Sequence, residues 1–216
     1  MAAIVSIVVP ARDCAVELPA LPPGADEILV QSCGPPGRAR NVGVQRARGD
    51  ILLFIEDDLS LTGSIDWLRK RPPHEVWWAC SGYADLTGDP YTRRAMSFLN
   101  TMLALRNIAG VGPVVACRRT AWAAVGGYDD RDLLGDFSFA RKLYKAFGIF
   151  PAQMPVWVGV HRPNTPPSKL MAQRGQWFDG ELPEDGPFRR LVPSPAIQGT
   201  LDAGDPRLHG DQVAGR

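Results

Sequence analysis

The sequence predicts an α/β protein, a single domain whose mostly parallel central sheet is flanked by helices. Three observations lead there. The apolar runs at 4–10 and 51–55 are short and bounded by turn-forming residues, the mark of buried strands. Strand and helix patterns alternate as β-α-β-α-β before residue 56, and that alternation implies parallel pairing through crossovers. Downstream, Phe137, Ala140, Tyr144 and Phe147 recur at helical spacing, giving one helix an apolar stripe to lay against a sheet. The first half therefore reads as a Rossmann-like, mononucleotide-binding half-sheet.

The elements come in order. Residues 4–10 form the first strand and 27–31 the second, with a short proline-rich crossover between them. A helix over 38–48 carries Ala39, Val42, Val44 and Ala47 near one face. The third strand is 51–55 and a fourth is 76–80. Residues 91–105 place Ala95, Leu99 and Met102, and Met96 and Leu103, at helical spacing. A strand at 114–117 leads into a short helix at 120–125, then comes the amphipathic helix from Phe137, and 156–160 is the last strand. The domain is expected to span 1–192, its halves meeting near residue 110. From Pro193 the residues are small, polar and turn-forming, so 193–216 is expected to be a flexible tail.

With 216 residues and 45% hydrophobic composition, the chain can bury one sizeable core. Charged residues are 22% and the net charge is +1, which argues against nucleic acid or a membrane as a partner through bulk electrostatics. The apolar start lacks a basic leader and a cleavage site, and no segment reaches spanning length, so a soluble, cytoplasmic protein is expected. Cys14, Cys33, Cys80 and Cys117 stand apart, without the close pairs of zinc or redox motifs, and read as reduced and structural.

The chemistry begins where Ile51-Leu52-Leu53-Phe54-Ile55 ends in Glu56-Asp57-Asp58. A buried strand carries the residues after it to the carboxyl edge of the sheet, where open α/β sheets bind ligands. Carboxylates spaced two apart can share Mg²⁺ or Mn²⁺ with substrate phosphates, though acidic residues there can also simply solvate a strand end. Upstream, Arg38, Arg40 and Asn41 open a helix, where guanidinium groups and the helix N-terminus suit a diphosphate, or else form an ordinary solvated face. Gly126-Gly127-Tyr128-Asp129 gives a turn close to a ligand, and Asp136 is placed to be a general base, a helix N-cap, or both. His161 and Arg162 come just after the last strand. Trp177, in Gln173-Arg174-Gly175-Gln176-Trp177, offers a face for a sugar ring or a staple onto the core.

This succession resembles the family 2 glycosyltransferases, nucleotide-sugar enzymes of the GT-A fold, over residues 5–180. The matching stretches are Ser6-Ile7-Val8-Val9-Pro10, Ala39-Arg40-Asn41-Val42-Gly43, Phe54-Ile55-Glu56-Asp57-Asp58, Arg118-Arg119, Gly126-Gly127-Tyr128-Asp129 and Asp136. The resemblance implies a donor-binding half at 1–110 and an acceptor half at 111–192. Donor contacts would come from Pro10, Ala11, Arg12, Gln31, Arg38, Arg40, Asn41, Glu56 and Asp57, and acceptor contacts from Gly127, Tyr128 and Trp177. Asp58, with His161 and Glu56, would hold Mn²⁺ or Mg²⁺ on the donor diphosphate, and Asp136 would deprotonate the acceptor in an inverting transfer.

The implied partners are a UDP- or GDP-sugar and a carbohydrate, lipid-linked or small-molecule acceptor, with no nucleic acid and a homodimer left open. Three positions depart from the family pattern. Gln31 replaces a base-reading aspartate, Gly135 replaces a glutamate, and Gln176 replaces the arginine of a Q-x-x-R-W motif, which argues against a processive synthase. A retaining transferase, a nucleotidyltransferase and a nucleotide-sugar-binding protein without turnover are the alternatives. The second of these lacks its Gly- and Lys-rich loop, since Pro10-Ala11-Arg12-Asp13-Cys14 stands there instead.

Overall fold

The first strand, β1 (Val5–Pro10), is buried at all positions, as its largely apolar sequence favours; its one polar side chain, Ser6, donates to Glu27 and accepts from the Gly49 N–H. The structure is a computed structural model and describes residues 3–11, 23–32, 34–106, 111–112, 114–130 and 135–161. Its contacts divide the chain into Met1–Asn164 and Thr165–Arg216, and all described residues belong to the first unit. Arg12, Cys14, Cys33, Arg162, the 173–177 motif with Trp177, most of the first crossover and the 193–216 tail lie outside the described residues.

β1 pairs in parallel with β2 (Glu27–Gln31) on one side and β3 (Ile51–Phe54) on the other, so Val8 sits between Leu29 and Phe54. Between β2 and β3 runs α1 (Pro36–Arg46). It starts two residues before the predicted helix because proline is tolerated in a first turn, where its missing N–H has no partner to lose. Gly43 lets α1 lie close on β1: a Cβ there would collide with Val8. Arg119 secures the far end of α1, its guanidinium donating to the carbonyls of Gly49 (2.8 Å), Val44 (3.0 Å) and Ala47 (2.8 Å). Arg118 does the same for another loop, donating to the carbonyls of Glu75, Arg71 and Pro72. The arginine pair of the motif is therefore structural.

The chain next leaves this sheet for β4 (Leu59–Gly63), then returns in β5 (Trp77–Ala79) and leaves again in β6 (Gly82–Asp85). Helix α2 (Pro90–Ala104), β7 (Val115–Arg118), α3 (Arg119–Ala124), α4 (Gly135–Phe147), β8 (Ala152–Gln153) and β9 (Val156–Val160) complete the fold. The strands form a six-stranded sheet in the order β2-β1-β3-β7-β5-β8 and a three-stranded sheet in the order β4-β9-β6.

The central sheet is mostly parallel, as expected: β1–β2, β1–β3 and β5–β8 are parallel, and β7 alone runs antiparallel to its neighbours β3 and β5. A strand's direction is set by its connections, and its composition does not encode it. Of the small sheet only β9 is expected from the sequence; β4 and β6 escape it, since β4 comes directly after three carboxylates and β6, Gly-Tyr-Ala-Asp, is too short to show a period.

The core gathers where β3, the Gly-Gly-Tyr turn and α4 meet. Tyr128 stacks on Phe139 at 4.0 Å, and Phe54 meets both edge-on at 4.9 and 5.7 Å. Cys80 and Cys117 are buried free thiols, and burial pushes Cys80 up to about 11. Among the described residues no helix is long and apolar enough to cross a membrane.

Candidate functional site

The acidic triplet is the joint between the two sheets. At its start the Ile55 N–H still reaches the Val8 carbonyl (3.3 Å), and the chain turns so that the Leu59 N–H donates to the Glu56 carbonyl (3.3 Å). β4 then pairs with β9 in a register that sets Leu59 opposite Val160. That register brings His161 beside Asp58: the His161 N–H donates to the Asp58 carbonyl at 3.1 Å. The Asp58 side chain is buried, while His161 is exposed with its Nε2 at 2.6 Å from Ser60 Oγ.

Arg40 supplies the positive charge. Its side chain is only 3% exposed, and Nη2 donates to Glu56 Oε1 at 3.1 Å. The guanidinium also lies over the Tyr128 ring, 4.9 Å from its centroid. Asn41, one residue on, holds α1 against the turn by donating to the Tyr128 carbonyl (2.8 Å) and accepting from the Tyr128 N–H (2.9 Å). That turn depends on Gly127, whose φ of +69° suits glycine and whose added Cβ would strike Asn41 and Trp122.

The carboxylates perturb one another through this small volume. Burial pushes Glu56 up to about 7, Arg40 opposes the rise, and the neighbouring Asp58 and Asp136 add to it. The Glu56 side chain nevertheless keeps 38% exposure, so water reaches it from one side. Asp136 lies in the first turn of α4, after Gly135, and not at the cap position. Burial raises its pKa, while Arg40 and backbone N–H groups, including that of Phe137, lower it. Tyr83 and Tyr128 are both raised by burial, and each senses Asp136 and Glu56.

The structure thus assembles Arg40, Glu56, Asp58, Asp136 and His161, drawn from α1, the sheet joint, α4 and the end of β9. Asp57 lies half-buried within the joint. Pro10 ends β1, and just after it the Ala11 N–H donates to the Gln31 carbonyl at 2.9 Å. Arg38 is exposed, on a different side of α1 from buried Arg40.

Four of the predicted contacts have other partners. The Gln31 amide accepts from Arg46 (2.9 Å) and donates to the Val30 carbonyl (2.8 Å). Asn41 is a brace, and Glu56 is engaged by Arg40 before any cation arrives. Tyr128, at 4% exposure, presents its ring to Arg40 and Phe139 and has almost no surface left for an acceptor. Ser60 and Tyr83 are absent from the sequence reading. Their signal is the period-two pattern of β4 and β6, which is too brief to recognise.

The donor set can be tested against a divalent cation. Among the described residues no three His, Cys, Asp or Glu side chains converge closely enough to hold a metal by themselves. Asp58 and His161 are paired through their backbones, and their side chains are a hard oxygen and an imidazole nitrogen. Mg²⁺ in nucleotide sites keeps one or two protein carboxylates and takes its other oxygens from phosphate and water. The residues therefore fit a cation shared with a diphosphate.

No family model matches the sequence, and no curated protein matches it. Several solved structures do match. A mannosyltransferase from Pyrobaculum calidifontis, in complex with GDP-Man and Mn²⁺, superposes with a TM-score of 0.54 at 14% identity, over 82% of this chain and 62% of its own. Glucosyl-3-phosphoglycerate synthase from Mycobacterium tuberculosis, in complex with Mn²⁺, UDP-glucose and glycerol 3-phosphate, gives 0.51 at 17% identity, over 81% and 77%. These likenesses establish the fold, a mixed α/β domain of the GT-A type. They do not single out family 2 within it.

Proposed function

We propose that the chain is a metal-dependent glycosyltransferase that moves a sugar from a UDP- or GDP-sugar to an acceptor hydroxyl with inversion. The observation that carries this reading is the convergence of Asp58, His161, Arg40, Glu56 and Asp136 at the joint between the two sheets. The two solved structures named above carry a nucleotide sugar and Mn²⁺, which supports the same donor class here.

Each residue has a distinct task. Asp58 and His161 would hold the cation, which when bound stabilises charge on the departing diphosphate. Arg40 opposes protonation of Glu56 and adds fixed positive charge to a partly buried site. Asp136 takes the proton of the acceptor hydroxyl as that oxygen bonds to the anomeric carbon, while the bond from that carbon to the diphosphate breaks. Its burial makes it a stronger base than a free aspartate.

Donor hydrolysis and transfer measured with Mn²⁺ test this reading. Asp136→Asn should lower turnover by ~10²–10⁴-fold, the usual contribution of a general base, with donor affinity nearly unchanged. Full metal-dependent turnover in Asp58→Ala would overturn the site assignment. A second reading, nucleotide-sugar binding without turnover, draws on the engaged Gln31 amide and the absence of a three-ligand cluster among the described residues. Calorimetry showing nucleotide binding with no transfer to any acceptor would favour it.

A further inference from the structure

Strand alternation decides which side chains of the three-stranded sheet stand together. Trp157 on β9 pairs with Thr62 on β4 and with Gly82 on β6, and these three form one row of a face. In the next row Ser60 and Ala84 flank Gly159. His161 continues this face just past β9, and its Nε2 lies 2.6 Å from Ser60 Oγ. The imidazole proposed to hold the cation therefore shares a sheet face with Trp157, about 13 Å away along the strand.

The face is low, apolar and open. A Cβ on Gly82 would lie 2.6 Å from the Trp157 ring, so the six-membered ring of that indole rests on the glycine. A Cβ on Gly159 would lie 2.6 Å from Leu86 Cδ1, so Leu86 folds over the second row. Trp157 and Leu86 nevertheless stay 52% and 54% exposed. On the opposite face of the same strands Leu61, Tyr83 and Val158 are buried. Two large apolar side chains left open in successive rows, beside the transfer centre, mark a contact surface. Apart from His161, these rows hold no ionisable side chain among the described residues.

We infer that this face is the acceptor subsite, and that it takes a neutral carbohydrate of at least two sugar rings. One ring lays its C–H face on Trp157, and the next reaches the transfer centre past Leu86. Length follows from the spacing: a ring on Trp157 lies about 13 Å from His161, and a single sugar cannot occupy both places. Class follows from the charge, because a phosphorylated or carboxylated acceptor finds no lysine or arginine on these rows to pair with. The broad apolar surface of the indole matches the C–H face of a pyranose and leaves its hydroxyls in water. The acceptor role rests on the proposed transfer, whereas disaccharide binding does not.

The test follows the Trp157 indole N–H of the ¹⁵N-labelled full chain by NMR, its signal assigned from its loss in Trp157→Phe. The probes are maltose, cellobiose, lactose and mannobiose, with methyl glucoside and glycerol 3-phosphate for comparison. At least one disaccharide should shift that signal with millimolar affinity and bind more tightly than methyl glucoside. Trp157→Ala, read from the Ser60 and Gly159 amides, should weaken disaccharide binding about tenfold, and Trp157→Phe should recover most of it. An indole signal that no disaccharide moves overturns the inference. So does unchanged affinity in Trp157→Ala, or tighter binding of glycerol 3-phosphate than of every disaccharide. Calorimetry with UDP and Mn²⁺ on the same sample reports on the transfer centre separately: failure there sinks the transfer reading and the acceptor role, while the indole shift alone decides the sugar site.

Discussion

In the six-stranded sheet, β1 and β3 are buried at every position, whereas the three-stranded sheet keeps one face open, with Thr62 and Trp157 reaching solvent. The large sheet meets the aromatic cluster of Phe54, Tyr128 and Phe139, and its arginines are spent on loop carbonyls. Among the described residues the small sheet contributes no such cluster, but it pairs the His161 backbone with that of Asp58 and sets Asp85 at the edge of a groove. One sheet holds the fold together and the other aims side chains. The acidic triplet belongs to neither, because it is the passage between them.

This division can be broken by comparing core truncations. Phe139→Ala, beneath Arg40's platform, should cost ~3–5 kcal/mol in urea unfolding, since it deletes a fully buried aromatic and leaves a cavity. Val158→Ala in the small sheet, equally buried, should cost only about 2 kcal/mol, because two methyl groups are lost. Equal costs would show that both sheets stabilise the fold alike.

The same contrast explains what the sequence disclosed. Largely apolar runs made β1 and β3 legible, and Phe137, Ala140, Tyr144 and Phe147 at helical spacing announced α4, although the face it buries is that of Phe139, Ala140 and Leu143 and Tyr144 is exposed. Glu56, Asp58, Arg40, Asp136 and His161 were nominated from their order along the chain, and the structure brings them together. The partners of Asn41, Gln31 and Tyr128 were illegible, because they depend on long-range contacts such as Asn41 with Tyr128, 87 residues apart. Two strands of the small sheet were hidden for another reason: β4 follows three carboxylates directly, and segments as short as β6 carry too few residues to show a period.

The joint itself yields a pH prediction. Burial raises Glu56 to about 7 in the folded state from its ordinary value of 4.5. Below about pH 4.5 both states hold the proton and no stability is lost. As pH climbs toward 7 the unfolded chain releases its proton while the folded chain keeps it, so stability falls, and above 7 the loss is complete. Glu56→Gln removes this titration, so the variant should gain on the wild type between pH 4.5 and 8. Since the side chain is 38% exposed, solvent screening discounts the shift, and a gain on the order of 1 kcal/mol is expected. A stability difference that stays constant across that range would sink the assignment of Glu56 as a destabilising, partly buried charge.

The smallest expected effect sits on the small sheet. Ser60 Oγ lies 3.5 Å from the Gly159 carbonyl and 2.6 Å from His161 Nε2, and a hydroxyl turned toward that carbonyl accepts from an Nε2–H. With the proton on Nε2, the Nδ1 atom carries the free lone pair and is the nitrogen available to a cation. Ser60→Ala removes one short hydrogen bond near an exposed ring, so stability should change by less than about 1 kcal/mol. The tautomer should respond far more: long-range ¹H–¹⁵N correlation of His161 should show Nε2–H dominant in the wild type and a mixture in Ser60→Ala. An unmoved tautomer together with a loss above ~2 kcal/mol would reverse the roles assigned to the two sheets, making Ser60 a support of the fold instead of a guide for His161.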